Sequence, residues 1–152
     1  MAKKLLIAGS ALALICSCNS MENPLLTESS APFGAPEFDK IKNEHYLPAF
    51  EAGIAEAKAE IDAIVANKEE PTFENTIEAM EVSGQTLNNV AGIFFNLMEA
   101  DTDDEMQQIA ESVSPMLTEY SMYVSLNNDL FQRVKAVYEK KDELGLAPDQ
   151  MK

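Results

Sequence analysis

One histidine and two cysteines, His45, Cys16 and Cys18, set the limits of the chemistry open to this sequence. A catalytic transition-metal site takes about three protein ligands from His, Cys and carboxylates. With a single imidazole, and both thiols within the first eighteen residues, there is almost nothing from which to build one. A Ser-His-Asp relay would have to run through His45 alone. Glu44-His45 opens like a zinc-helix pair, but Ala49 and Phe50 stand where a second imidazole, one helical turn on, would be required. The residue types therefore predict a helix-start role for His45, packing or hydrogen-bonding locally. Asp101, Asp103 and Glu105 alternate as calcium ligands do. An EF-hand loop needs Gly at its sixth place and Glu at its twelfth. Met106 fills the sixth, and no Glu fills the twelfth. Such acids instead cap a helix and complement its dipole. No catalytic, cofactor-binding or metal-ligating residue is assigned in this chain.

The thiol expected to be modified is Cys18. Lys3 and Lys4 give a short basic start, and Leu5 to Ile15 is an almost unbroken apolar run. It is too short to span a bilayer, which needs about 20 apolar residues, and has the form of a secretory signal peptide. Ile15-Cys16-Ser17-Cys18 resembles a bacterial lipobox, so residues 1–17 are expected to be removed and Cys18 to carry the lipid. Several acyl chains hold a membrane far better than one. An ordinary cleavable signal with incidental cysteines is the alternative, but Ile15 occupies the place where such signals favour a small residue. A Cys16–Cys18 disulfide would be geometrically poor. The predicted location is outside the cytoplasm, as a membrane-anchored lipoprotein facing the periplasm.

The elements that follow are acidic and helical. Asp and Glu number 26 against 11 Lys and Arg, a formal charge of −15. Such a chain repels nucleic acid and anionic head groups, so nucleic acid is excluded as a partner and membrane contact is expected through the anchor alone. Residues 18–36, with Pro24, Pro32, Gly34 and Pro36, cannot form a long helix or strand and are expected to be a tether or an extended arm, with a flexible spacer over 19–30. From residue 37 to 152 a helical domain is predicted. Tyr46, Leu47, Phe50, Ile54, Ala57, Ile61, Ile64 and Val65 fall on one helical face, with Asn43 as cap. Thr72 caps a second helix whose stripe, Phe73, Ile77, Met80, Gly84, Leu87, Ala91, Phe94 and Met98, alternates four- and three-residue steps in a heptad-like seam. Its end, rich in Phe94, Phe95, Leu97 and Met98, should be buried on two sides. Thr102 opens a capping box to Glu105 before a third helix that Pro115 should bend. Asn127 caps a fourth that carries Leu130, Phe131, Val134, Val137, Tyr138 and Leu144 and ends at Gly145. No strand-period run appears. The expected class is all-α, with about four antiparallel amphipathic helices.

Several segments, in order, carry a resemblance. They are Phe33-Gly34-Ala35-Pro36, Phe38 to Lys42, Glu44 to Phe50, Pro71 to Ala79, Phe94-Phe95-Asn96-Leu97, Asp104 to Gln107 and Leu130 to Tyr138. Together they resemble the amino-terminal region of the bacterial peptidyl-dipeptidase branch of the thimet-oligopeptidase-like zinc metallopeptidases, over about residues 23 to 152. The resemblance implies a two-lobed helical enzyme that releases carboxyl-terminal dipeptides from short peptides. Its zinc would sit on a downstream His-Glu-x-x-His helix, with a further Glu as third protein ligand. It also implies that these leading helices help wall the substrate channel. No His-Glu-x-x-His occurs here, so no cofactor is expected in this chain; zinc belongs to the parent family. Ala147-Pro148-Asp149 places a Pro and an acid where a helix begins, shortly before Lys152. Isolated first turns are unstable, so the chain is expected to be cut in mid-architecture, with a catalytic lobe as its missing partner. The expected role is the non-catalytic leading portion of an exported peptidase acting on short peptides. The alternative is a free-standing lipid-anchored helical module that binds a peptide or protein partner.

Overall fold

The first long helix, α1 (Asn43–Ala66), is the axis on which the rest is mounted. The structure, a computed structural model, describes residues 23–148, Gln150 and Met151. The signal peptide and Cys18 lie outside these residues. The apolar face of α1 is the predicted one: Tyr46, Ala49, Phe50, Ile54, Ala57, Ile61 and Ile64 are all buried. Its cap is not the predicted one. Lys42, in extended geometry, is the N-cap, and Asn43 is already helical. The Asn43 amide is drawn away to the next helix bundle layer, donating to the Asp103 carboxylate at 3.0 Å and to Glu105 at 3.0 Å. Pro48 lies just past the first turn on an exposed side, where the carbonyl it leaves unpaired can meet water.

The predicted second helix forms in pieces. After Asn67 caps the end of α1, Thr72 opens a six-residue wide turn of π-helix, Phe73–Glu78, which runs into a single α-turn, α2 (Ala79–Glu81). The Thr72 cap is as expected: its hydroxyl accepts from the Asn75 amide at 3.1 Å, while Asn75 Oδ1 accepts from the Thr72 amide at 2.9 Å. The chain then breaks at Gly84, which adopts φ 71, and α3 (Gln85–Ala100) begins beyond it. The heptad-like stripe is thus shared between two short elements and a helix rather than lying on one rod. In α3 the buried positions are Leu87, Val90 and Phe94, with Ala91 and Met98 only half-buried. Tertiary contacts override the local pattern.

Helices α3 and α4 (Asp104–Ser125) both lie along α1, and α5 (Asn128–Glu139) crosses its far end. The α1–α3 crossing is close because Gly53 faces Leu87: a Cβ at position 53 would stand 3.0 Å from the Leu87 Cα. Around that crossing Phe94 is fully buried, edge-on to Tyr46 at 4.9 Å and to Phe50 at 5.5 Å between ring centroids, with Phe95 beside it. Edge-to-face pairs add about 0.5–1.5 kcal/mol each beyond area burial. Met106 and Val113 from α4 complete this main core, and Ile61, Ile64 and Leu130 form a second core where α5 meets α1.

Two further boundaries differ from the expectation. The cap of α4 is Asp103, whose carboxylate accepts from the Met106 amide at 2.7 Å; Thr102 only donates weakly to the Asp103 carbonyl. A carboxylate at a helix start satisfies the free amide and the dipole together, which a hydroxyl does less well. The helix runs on through Pro115 to Ser125. Asn127 caps α5 as expected, accepting from Leu130 at 3.0 Å, but the helix stops at Glu139. Lys140 to Leu144 form turns, so Gly145 (φ 63) serves those turns rather than a helix end. Residues 23–30, expected as a flexible spacer, begin packed against the domain. Leu25 is buried in the main core, and Asn23 ties the arm down by donating to the His45 carbonyl at 2.8 Å. An apolar side chain two residues from that tie has more to gain by burial than a free tether would. No strand occurs among the described residues, and no helix among them is long and apolar enough to cross a membrane.

Candidate functional site

His45 performs the helix-start role its position predicts. Its Nδ1 accepts from the Lys42 backbone amide at 3.0 Å, closing the α1 N-terminus in the manner of a capping box, and its own amide returns to the Lys42 carbonyl at 3.0 Å. That nitrogen is committed to the helix start. Among the described residues no three His, Cys, Asp or Glu side chains converge as a metal site would require.

Asp101, Asp103 and Glu105 divide as the capping reading requires. The Met106 amide holds the Asp103 carboxyl below the usual carboxylate range, with Asn43 assisting. Asp103 and Glu105 share the Asn43 amide, so two helix starts sixty residues apart in sequence are joined at one exposed corner. This arrangement ties α1 to α4.

Two polar features escaped the sequence reading. Arg133 of α5 is buried, and its guanidinium donates to the Asn67 carbonyl at 2.9 Å, the Glu69 carbonyl at 3.4 Å, Asn75 Oδ1 at 3.0 Å and the Thr76 hydroxyl at 3.4 Å. It gathers the end of α1 and the π-turn onto α5. A signal was present: Arg133 sits at the i+3 place after Leu130 on the face that buries Val137. The second is Glu60, whose carboxylate accepts from the Gly84 amide at 2.6 Å. Nothing in the local sequence marks it, because the two residues lie on different elements.

Beside Gly84 lies an open cleft of about 320 Å³, lined chiefly by Ile61, Met80, Gly84, Leu87, Tyr120 and Val124. Its floor is apolar, and Ser83, Asn88, Ser121 and Ser125 supply hydroxyls and an amide at the sides. Burial raises the pKa of the Tyr120 hydroxyl, and the Glu60 charge reinforces this. His45 lies sixteen residues up α1 from Ile61, about 24 Å at 1.5 Å per residue, so the cleft has no imidazole to serve it. Such a wall can hold an apolar side chain and hydrogen-bond a backbone beside it.

Outside the cleft, large apolar side chains stand exposed on the α4–α5 side: Leu126 is 73% exposed, Tyr138 63% and Phe131 58%. Near the end of the described residues the Met151 amide donates to the Ala147 carbonyl and Gln150 Oε1 accepts from the Ala147 amide.

No protein-family model matches the chain. Among curated proteins it is 45% identical over 124 residues to a dipeptidyl carboxypeptidase of Escherichia coli (strain K12), a match that covers 82% of this chain and 18% of that protein. A dipeptidyl carboxypeptidase of Salmonella typhimurium is 42% identical over 130 residues, covering 86% of this chain and 19% of the relative. Oligopeptidase A of the same organism is 29% identical over 111 residues. The chain therefore spans about a fifth of the length of the curated relatives it matches.

Proposed function

The chain is homologous to part of the dipeptidyl carboxypeptidases and, more distantly, to the oligopeptidases A, and from that premise we propose that it is the non-catalytic leading portion of an exported zinc peptidyl-dipeptidase. The observation that carries the reading is the 45% identity across 82% of the chain. On this reading the zinc, and the water it acidifies, belong to residues outside this chain. The described residues contribute helices that wall a substrate channel and admit short peptides. Two features support that. The mixed apolar and hydroxyl lining of the cleft suits an extended peptide. The exposed Leu126, Phe131 and Tyr138 are side chains that a further lobe would cover.

The coding sequence beyond codon 152 tests the assignment directly. It should continue, in this or a shifted frame, through further helix to His-Glu-x-x-His. A stop followed by unrelated sequence would overturn the reading. Export is tested separately at Cys18. Labelled fatty acid should enter the wild-type chain and Cys16→Ala, and not Cys18→Ala. Equal labelling of all three would remove the lipoprotein proposal.

A further inference from the structure

The break between α2 and α3 is held by one proton with two available acceptors. The stripe from Phe73 to Met98 has the spacing of a single continuous helix, and in such a helix the Gly84 amide would bond the Met80 carbonyl. In the structure that carbonyl is taken twice by Ser83, by its amide at 3.2 Å and its hydroxyl at 2.7 Å. The Gly84 amide turns instead to the Glu60 carboxylate at 2.6 Å, with φ 71 and ψ 23. Below the break the π-turn is clamped to α5 by Arg133 through Asn75 and Thr76. The bent form therefore rests on two side chains from other helices, whereas the straight form is what the local pattern favours. Packed elements with two discrete hydrogen-bond arrangements switch rather than deform continuously.

We propose that Val82–Gly84 is a two-state helix break, in which the Gly84 amide exchanges between the Glu60 carboxylate and the Met80 carbonyl, and that the bent state is the one that forms the cleft. Met80, Ser83 and Gly84 line the cleft in the bent form. Straightening swings Phe73–Glu81 onto the axis of α3, takes Met80 and Ser83 out of the wall, and strains the Arg133 clamp. A peptide segment seated in the cleft selects the bent state, because a ligand shifts such an equilibrium by its differential affinity. The proposal stands whether or not the chain is part of a peptidase, since it concerns only these residues.

The test uses the full isotope-labelled chain and three variants. Glu60→Ala removes the competing acceptor, and Glu60→Gln keeps an acceptor oxygen. Gly84→Ala penalises the left-handed conformation without crowding, because its Cβ would meet the Ala57 Cβ at 3.5 Å and the Tyr120 hydroxyl at 3.6 Å, ordinary contacts. Carbon-13 shifts of residues 82–84 and hydrogen exchange of the residue-84 amide are read in each. Wild type and Glu60→Gln should show a non-helical residue 84. Glu60→Ala and Gly84→Ala should show helical shifts across 82–84, with the residue-84 amide protected within about threefold of wild type. Non-helical shifts in both variants, with exchange of that amide rising tenfold or more in Glu60→Ala, would overturn the proposal. So would loss of the folded state in both, since the straight form would then not be a state of the folded domain.

Discussion

Replacing Gly53 by Ala should destabilise the domain, although glycine is a poor residue for the middle of a 24-residue helix. On propensity alone the change should gain about 0.5–1 kcal/mol. The crossing of α1 and α3 reverses that sign. The new Cβ would lie 3.0 Å from the Leu87 Cα, 3.1 Å from its backbone nitrogen and 3.3 Å from its Cβ. Two of those three atoms are backbone, so no rotamer change relieves them. Either α3 shifts away from α1 or α1 bends. Each would loosen the Phe50–Phe94 packing next to the crossing. Overpacking of this kind costs about 1–3 kcal/mol, which leaves a net loss of up to about 2.5 kcal/mol after the propensity gain. Urea unfolding followed by far-ultraviolet circular dichroism would show it as a lower midpoint at unchanged slope. Gly92→Ala is the matched control: Gly92 is an exposed residue within α3, and its Cβ would meet nothing within 4 Å. That variant should gain about 0.5–1 kcal/mol. If Gly53→Ala is as stable as Gly92→Ala, the close crossing is not a feature of the protein and the packing argument fails.

Thr72→Ala should cost about 1 kcal/mol, read as a lower urea midpoint, because it removes the oxygen that accepts from Asn75. Arg133→Met keeps an apolar stem but leaves the Asn67 carbonyl without its side-chain donor and removes one of the donors to Asn75 Oδ1; a loss of about 1–3 kcal/mol is expected, with faster amide exchange over residues 67–78 than over α4. The carboxyls of Asp103, Glu37, Glu70 and Glu74 are all held below their ordinary range, by the Met106 amide, Lys40, Lys140 and a local backbone amide respectively. Groups depressed on folding contribute stability above their unfolded pKa and lose it as pH falls through the folded values. Thermal midpoints should accordingly fall below about pH 4, and Asp103→Ala should flatten that acid limb; an identical limb in the variant would count against the cap.

What the sequence determined by itself was local. The helical class, the buried face of α1, the caps at Thr72 and Asn127 and the helix-start role of His45 follow from spacing and from side chains acting within a few residues of their own backbone. The family resemblance was legible for a similar reason, being a matter of ordered short segments. Three features were decided only by the tertiary structure. Asn43 gave up its cap to bind Asp103 and Glu105 sixty residues on. Leu25 pulled an expected tether into the core. The most regular stripe in the chain bent at Gly84, because Glu60 and Arg133 offered its backbone and side chains partners that a straight helix could not reach. Periodicity registers which face of a helix is apolar; it carries no information about an acceptor twenty-four residues away, and that acceptor is what shapes the cleft.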